Sequence, residues 1–478
     1  MPEKPNVIIV NCDDLGYGDI GCYGSEKHRT PAIDRMASEG IRFTDFYMSA
    51  SVCTPSRASL LTGCYPKRIG FSRFVRDGRE DEVVLFPGDC YGLNPREKTI
   101  ASILKEQGYS TMLIGKWHCG DQQQFLPTNF GFDSYFGIPY SNDMGINTLG
   151  EEKINNLNYD RVLSHPPLPL LKDKQIFQEQ PDQANLTDKY AEEAVKFIRD
   201  NKDGSFFLYL AHMYVHLPIY APERFLKNSK NGPYGAAVEH IDQVMEVIFD
   251  ELRSCGIDND TIVMFTSDNG SPEIMGGSNE PLKGRKRSCW EGGFRVPCIM
   301  RWPEKIKAGR VSGDPVTVMD FLPTIASIAG AEVPNDRIID GRDIGSIITG
   351  NDDREYKALP FYYYHNNNLY AARSGDWKYF TDSPDYPEAL YDLREDIAET
   401  TDLKDRHPGI VKDMKKLLSM ARIDMGDDLE VMDGENIRPC GRELDPKPLT
   451  NYDPDNPYII AEYDMTCILD RLRELTMD

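Results

Sequence analysis

The 478-residue sequence has 40% hydrophobic and 27% charged residues and a net charge of −23. That length accommodates a large core and two domains, and the acidic balance argues against nucleic-acid binding. No apolar run reaches the roughly 18–20 residues of a membrane span, and the negative field requires any site for an anion to supply its own positive charge.

The chain starts Met1-Pro2-Glu3-Lys4-Pro5 and enters its first apolar run without the pattern of a leader peptide. The expected location is the cytoplasm, or the periplasm or exterior if a leader has been removed. Eleven cysteines, an odd number, are scattered without a disulfide framework or a paired Cys-x-x-Cys zinc site, which fits a reduced compartment. Residues 6–11 are continuously apolar, the pattern of a central parallel strand covered on both faces. The run ends in Cys12-Asp13-Asp14-Leu15-Gly16-Tyr17-Gly18. Two adjacent carboxylates at a strand end fit a hard cation such as calcium, or a solvated Asx turn. Residues 31–40 read as a helix with Thr30 as N-cap.

The next helix carries chemistry. Thr54 is its expected N-cap, Pro55 suits its first position and Gly63 closes it. Cys53 then precedes a helix N-terminus, with Arg57 one turn on, a setting for an exposed and acidified thiol. The bland alternative is a small buried cysteine. Residues 68–95 lack a period and read as a rim loop. A helix at 99–107 leads into a strand at 109–115 that delivers Lys116 and His118 at its end.

Ser141 follows the run 136–140, and residues 151–183, with Pro166-Pro167 and Pro169, read as a loop insertion. An amphipathic helix at 187–200 precedes a strand at 206–211, beyond which lie His212 and His216. A second amphipathic helix at 238–253 leads to a strand at 261–266 that ends in Ser267-Asp268-Asn269-Gly270. Asp13, Asp14, Asp268 and Asn269 thus form an all-oxygen set from two strand ends. Lys283, Arg285, Lys286 and Arg287 lie within five residues, a run that by itself reads as a solvated face. Past a polar stretch at 343–356, short aromatic and β-branched runs at 359–364, 370–373, 377–380 and 389–393 precede a helix at 408–420. The expected divisions are a catalytic domain at 1–355, a small α+β domain at 356–424 and an acidic tail at 425–478 whose packing the sequence leaves open.

Several of these stretches together resemble one family. They are Cys53-Thr54-Pro55-Ser56-Arg57 with Leu60-Leu61-Thr62-Gly63, Gly108-Tyr109-Ser110-Thr111 with Gly115-Lys116-Trp117-His118, Phe136 to Asp143, and Lys286 five residues before Glu291-Gly292-Gly293. The pattern is similar to the type I, formylglycine-dependent sulfatases, in the branch of arylsulfatase A and N-acetylgalactosamine-6-sulfatase. Cys119 and Asn142 depart from it, standing where relatives often carry leucine and histidine.

The resemblance implies an alkaline-phosphatase-like α/β fold: a large, mostly parallel sheet flanked by helices, with a smaller C-terminal antiparallel sheet and helix. It implies that a formylglycine-generating maturase oxidises Cys53 to Cα-formylglycine, whose hydrate attacks sulfur. It implies a Ca2+ ion, with Mg2+ as an option, on Asp13, Asp14, Asp268, Asn269 and an oxygen of residue 53. Arg57, Lys116 and Lys286 then clamp the sulfuryl oxygens, and Ser141 contacts the sulfate. His216 protonates the leaving oxygen with Lys286 assisting, and His118 takes the proton that lets sulfate depart. The expected substrate is a sulfated galactose or N-acetylgalactosamine, attacked exo. The alternatives are a phosphonate monoester or phosphodiester hydrolase of the same superfamily, and a non-catalytic sulfoglycan-binding protein in which Cys53 stays a thiol. Nothing in the sequence sets the oligomeric state.

Overall fold

A computed structural model of the chain describes residues 4–76, 79–146, 165–350, 358–453, 455–456 and 458. Strand β1 (Asn6–Cys12) is buried along its whole length. Val7 and Ile9 enter one hydrophobic core and Ile8 and Val10 the other. A strand whose successive side chains feed two cores has to be apolar throughout.

It lies near the middle of a ten-stranded sheet. The other strands are β2 (Ile41–Phe43), β3 (Ser110–Gly115), β4 (Ser134–Gly137), β5 (Pro169–Lys172), β6 (Gln175–Glu179), β7 (Phe206–Ala211), β8 (Thr261–Ser267), β9 (Cys298–Arg301) and β10 (Arg310–Ser312). The spatial order is β6-β5-β4-β3-β7-β1-β8-β9-β2-β10. The five central strands β4, β3, β7, β1 and β8 run parallel, and antiparallel pairs flank them on both sides. Helices α1 (Pro31–Glu39), α4 (Leu186–Asn201) and α5 (Gly232–Ser254) cover one face. Helices α2 (Cys53–Thr62), α3 (Ile100–Glu106) and α6 (Phe321–Ala329) cover the other. This is the large, mostly parallel sheet flanked by helices that the sequence predicts.

Beyond it, β11 (Phe361–His365), β12 (Asn368–Ser374), β13 (Trp377–Phe380) and β14 (Ala389–Asp392) form an antiparallel meander. Helix α7 (Pro408–Met425) packs on it. The small sheet shares one core with the α2–α3–α6 face, so the two layers are joined by apolar burial. The expected division near 355 lies outside the described residues, as does the apolar part of the tail from 459 onward. The described tail turns back along the large domain. Gly441–Arg442 pairs with Tyr91–Gly92, Arg438 grips Glu97 with two nitrogens, and Thr450 donates to the Pro167 carbonyl.

Three local expectations need correction. Part of the stretch read as a loop insertion is the hairpin β5–β6, which extends the sheet edge. Leu168, Leu170 and Leu171 are buried there, and Pro169 is tolerated because it begins its strand. Residues 147–164 of that stretch lie outside the description. Thr30 stands at the N-cap position of α1, but its Oγ1 accepts from Gly21 N and makes no cap bond to the helix, while Thr54 lies inside α2 and its Oγ1 accepts from Leu85 N. Helix α2 therefore starts at Cys53, with Val52 at the N-cap.

Candidate active site

The C-terminal ends of parallel strands open onto one crevice, and the polar residues after them meet there. Backbone hydrogen bonds carry the sheet past its last residues. Asp13 N donates to Tyr214 O, Asp268 N to Cys12 O, and Lys116 N to Ala211 O. Asp14 and His118 adopt the left-handed conformation, with φ of 63° and 59°, which turns each chain sharply at its strand end. Gly115, just before, has φ 104°, and a Cβ there would lie 1.9 Å from Ala211 O. Only glycine allows β3 to approach β7 so closely before delivering Lys116.

Asp13, Asp14 and Asp268 each place a carboxylate oxygen within 4.8 Å of the others. All three are buried. Arg57 binds Asp268 Oδ2 through Nε and Nη2 at 2.9 and 2.8 Å, reaches the Lys116 carbonyl at 2.9 Å, and lies 3.7 Å from Asp13 Oδ1. Lys116 donates to Asp13 Oδ2 and stands 3.3 Å from Ser141 Oγ. Lys286 Nζ lies 2.7 Å from Asp14 Oδ1, and Asn269 Nδ2 donates to the same oxygen at 2.7 Å. His216 Nε2 is 3.7 Å from Asp14 Oδ2, while its Nδ1 lies 2.6 Å from the Leu217 carbonyl and 3.4 Å from Ser141 Oγ.

Burial alone pushes the Asp13 carboxyl up, but Lys116, His216 and Arg57 outweigh it and hold Asp13 well below the usual range. Burial and the Asp13 charge push Asp268 up. Three carboxylates this close cannot all ionise cheaply without cations among them. Asp13 Oδ1 and Asn269 Oδ1 are buried oxygens with no hydrogen-bond partner among the described residues. Oxygen donors with free lone pairs, in a site dense in carboxylates, fit a hard divalent cation such as Ca2+ or Mg2+.

Cys53 is the first residue of α2 and only 2% exposed. Burial raises its thiol, against the lowering by Lys116 and Lys286. The expectation of an exposed, acidified cysteine is therefore corrected, because α2 packs its entire length into the core. His118 is equally enclosed. Its Nε2 lies 2.9 Å from the Leu85 carbonyl, and its Nδ1 is buried without a partner. Burial, reinforced by the Lys116 charge, holds the ring well below its ordinary pKa, so the imidazole is neutral. The structure thus gathers Asp13, Asp14, Cys53, Arg57, Lys116, His118, Ser141, His216, Asp268, Asn269 and Lys286 around one crevice. His212 is fully buried with neither ring nitrogen bonded, and it contacts none of this set through a hydrogen bond.

Sequence reasoning missed what holds the Lys286 loop. Glu291 is fully buried and accepts from Tyr47, from Tyr363 at 2.7 Å and from Lys378 at 3.0 Å. Lys378 also binds Glu399 Oε1 at 2.8 Å. Lys283 donates to the Glu399 carbonyl and stands 3.5 Å over the Trp290 ring. Both ends of the Lys286 loop are therefore fastened to the small domain. The Glu-Gly-Gly motif marked the place, but its small-domain partners lie about 70–110 residues away in sequence.

The Sulfatase family model matches residues 5–331. The chain belongs to the sulfatase family. A second family model, N-sulphoglucosamine sulphohydrolase C-terminal, matches residues 284–424 of this sulfatase. Steryl-sulfatase of Mus musculus is 35% identical over 462 residues, covering 81% of this chain and 72% of the relative. N-acetylgalactosamine-6-sulfatase of Rattus norvegicus is 38% identical over 399 residues, covering 79% and 71%. Among solved structures, Ps i-CgsB in complex with k-i-k-neocarrahexaose matches with a TM-score of 0.76 and 30% identity, covering 87% of this sulfatase and 92% of that chain. Sulfatases are sulfuric ester hydrolases, and this protein is an enzyme of that class.

Proposed function

We propose that this sulfatase removes a sulfate ester from a galactose or N-acetylgalactosamine unit of a saccharide, acting through residue 53 after oxidation of Cys53 to formylglycine. One observation carries the reading. Residue 53 stands at a helix N-terminus among an oxygen-donor cluster, three cations and two histidines whose free nitrogens differ. The names of the N-acetylgalactosamine-6-sulfatase relative and of the neocarrahexaose complex support a saccharide.

Asp13, Asp14, Asp268 and Asn269 would hold a calcium ion, which would supply Lewis-acid activation for the nucleophilic hydroxyl that the aldehyde hydrate would offer. The remaining work falls to this chain's side chains. Lys116, Ser141 and Lys286 present donors to the sulfuryl oxygens, with Arg57 holding the carboxylates in place. His216 anchors Nδ1–H on the Leu217 carbonyl, which leaves Nε2 on the open side to carry a proton to the departing sugar oxygen. His118 anchors Nε2–H on the Leu85 carbonyl, so its neutral ring offers Nδ1 as a proton acceptor. The two rings are anchored through opposite nitrogens, so His216 faces the site with Nε2 and His118 with Nδ1.

The deciding experiment measures sulfate release by maturase-treated protein from monosulfated galactose and N-acetylgalactosamine saccharides, beside an aryl phosphate and the Cys53→Ser variant. Release from one positional isomer, absent in Cys53→Ser, is the expected result. Phosphate turnover without sulfate release would favour a phosphonate or phosphodiester hydrolase, and silence on both would favour a saccharide-binding protein.

A further inference from the structure

Three separate segments meet beside the site. Ser51, two residues before Cys53, lies within about 7 Å of it by chain length alone. Its hydroxyl stands 3.3 Å from His365 Nδ1, and its carbonyl accepts from Arg287 N at 3.0 Å. His365 ends β11 of the small domain, and Arg287 directly follows Lys286. The nucleophile's loop, the Lys286 loop and the β11–β12 turn therefore join beside residue 53.

Arg287 differs from the cations already described. Arg57, Lys116 and Lys286 each sit against a carboxylate. The Arg287 side chain is exposed and has no hydrogen-bond or ion-pair partner among the described residues. Its backbone is left-handed, with φ 72°, a conformation that a non-glycine residue holds only where its surroundings impose it. After burial, its charge is the leading influence on His365, pushing that imidazole down to about 4 against the opposing pull of Asp385. Next to His365, Asn366 is also left-handed, and its Oδ1 is buried without a hydrogen-bond partner. An exposed, unpaired guanidinium beside a neutral imidazole makes a polar rim suited to a charged sugar.

We propose that Arg287 binds a second anionic group of the saccharide, next to the ester being hydrolysed, while His365 hydrogen-bonds the ring that carries it. The inference rests on the saccharide reading above. The planar fork of arginine matches a carboxylate or a sulfate equally well, so the substrate class is a saccharide with two anionic groups, the second being a uronate carboxylate or another sulfate.

The test uses matured full-length protein and three substrates: a monosulfated hexose, the same hexose disulfated, and the monosulfated hexose joined to a uronic acid. Wild type, Arg287→Gln and Arg285→Gln are compared. Arg285 is an exposed arginine on the same loop, and Arg285→Gln makes the same change in net charge. A charged hydrogen-bonded contact predicts that Arg287→Gln lowers the ratio of kcat/KM, doubly to singly charged substrate, by about tenfold, mainly through KM. Arg285→Gln should keep that ratio within about twofold. Whichever dianion shows the drop identifies the second group. Equal loss on all three substrates, or an equal effect of the two variants, overturns the proposal. Sulfate release from the monosulfated hexose without any preference defeats this inference alone, whereas no release from any sugar defeats the saccharide reading as well.

Discussion

Lys286 Nζ lies 2.7 Å from Asp14 Oδ1, and this contact joins a loop fastened to the small domain to the end of the first strand. A cation held there stands beside both the oxygen cluster and residue 53. Asp14 restrains the ammonium and, with Asp13, keeps it protonated in spite of burial.

Lys286→Gln should therefore lower kcat by about a hundredfold or more, the usual cost of losing one donor aimed at developing charge. Steady-state kinetics on a sulfated sugar reads it. Activity within threefold of wild type would remove Lys286 from the sulfuryl clamp.

The oxygen cluster predicts linked loss of metal and activity. Asp268→Ala should abolish calcium binding in calorimetry together with turnover. That variant also strips Arg57 of its main partner in a fully buried site, so about 3–5 kcal/mol of stability should go with it. Asn269→Ala leaves no buried charge unpaired, and should weaken calcium binding with far less effect on stability. Unaltered calcium affinity in both variants would take the two residues off the ligand list.

Lys378 tests the union of the two domains. It is fully buried between Glu291 and Glu399, and Lys378→Met leaves those carboxylates facing each other. Urea unfolding should show a loss of about 3–5 kcal/mol. Unfolding within about 1 kcal/mol of wild type, in the same single transition, would show that the ionic cluster does not couple them.

Asp242 gives a pH-dependent outcome. Its buried carboxyl accepts from Ala32 N and Ile33 N at the start of α1, and burial pushes it up to about 7. The folded state thus holds this proton more tightly than the unfolded chain. The resulting stability is fully present below the unfolded value near 4 and is lost as pH rises through about 7. Asp242→Asn, neutral throughout, should show a flatter fall in Tm between pH 5 and 8 than wild type. Parallel curves for the two proteins would exclude this titration.

The amino-acid sequence by itself determined the strand ends and what they carry. The apolar run before Asp13-Asp14, the turn glycine before Lys116 and the Cys53–Gly63 segment are local patterns, and local backbone physics is legible in them. It also carried the family, because the residues that the chemistry needs are clustered in short motifs. Tertiary structure alone decided how those residues are held. Cys53 is buried because all of α2 is enclosed, and no helix propensity states that. Which ring nitrogen of His118 and of His216 is left free is set by the carbonyls of Leu85 and Leu217, backbone atoms that every residue type possesses. The β5–β6 hairpin was hidden by prolines that are harmless at a strand's first position. His365 and Arg287 meet at Ser51 across hundreds of residues, and a contact between distant segments leaves no periodicity for a single sequence to display.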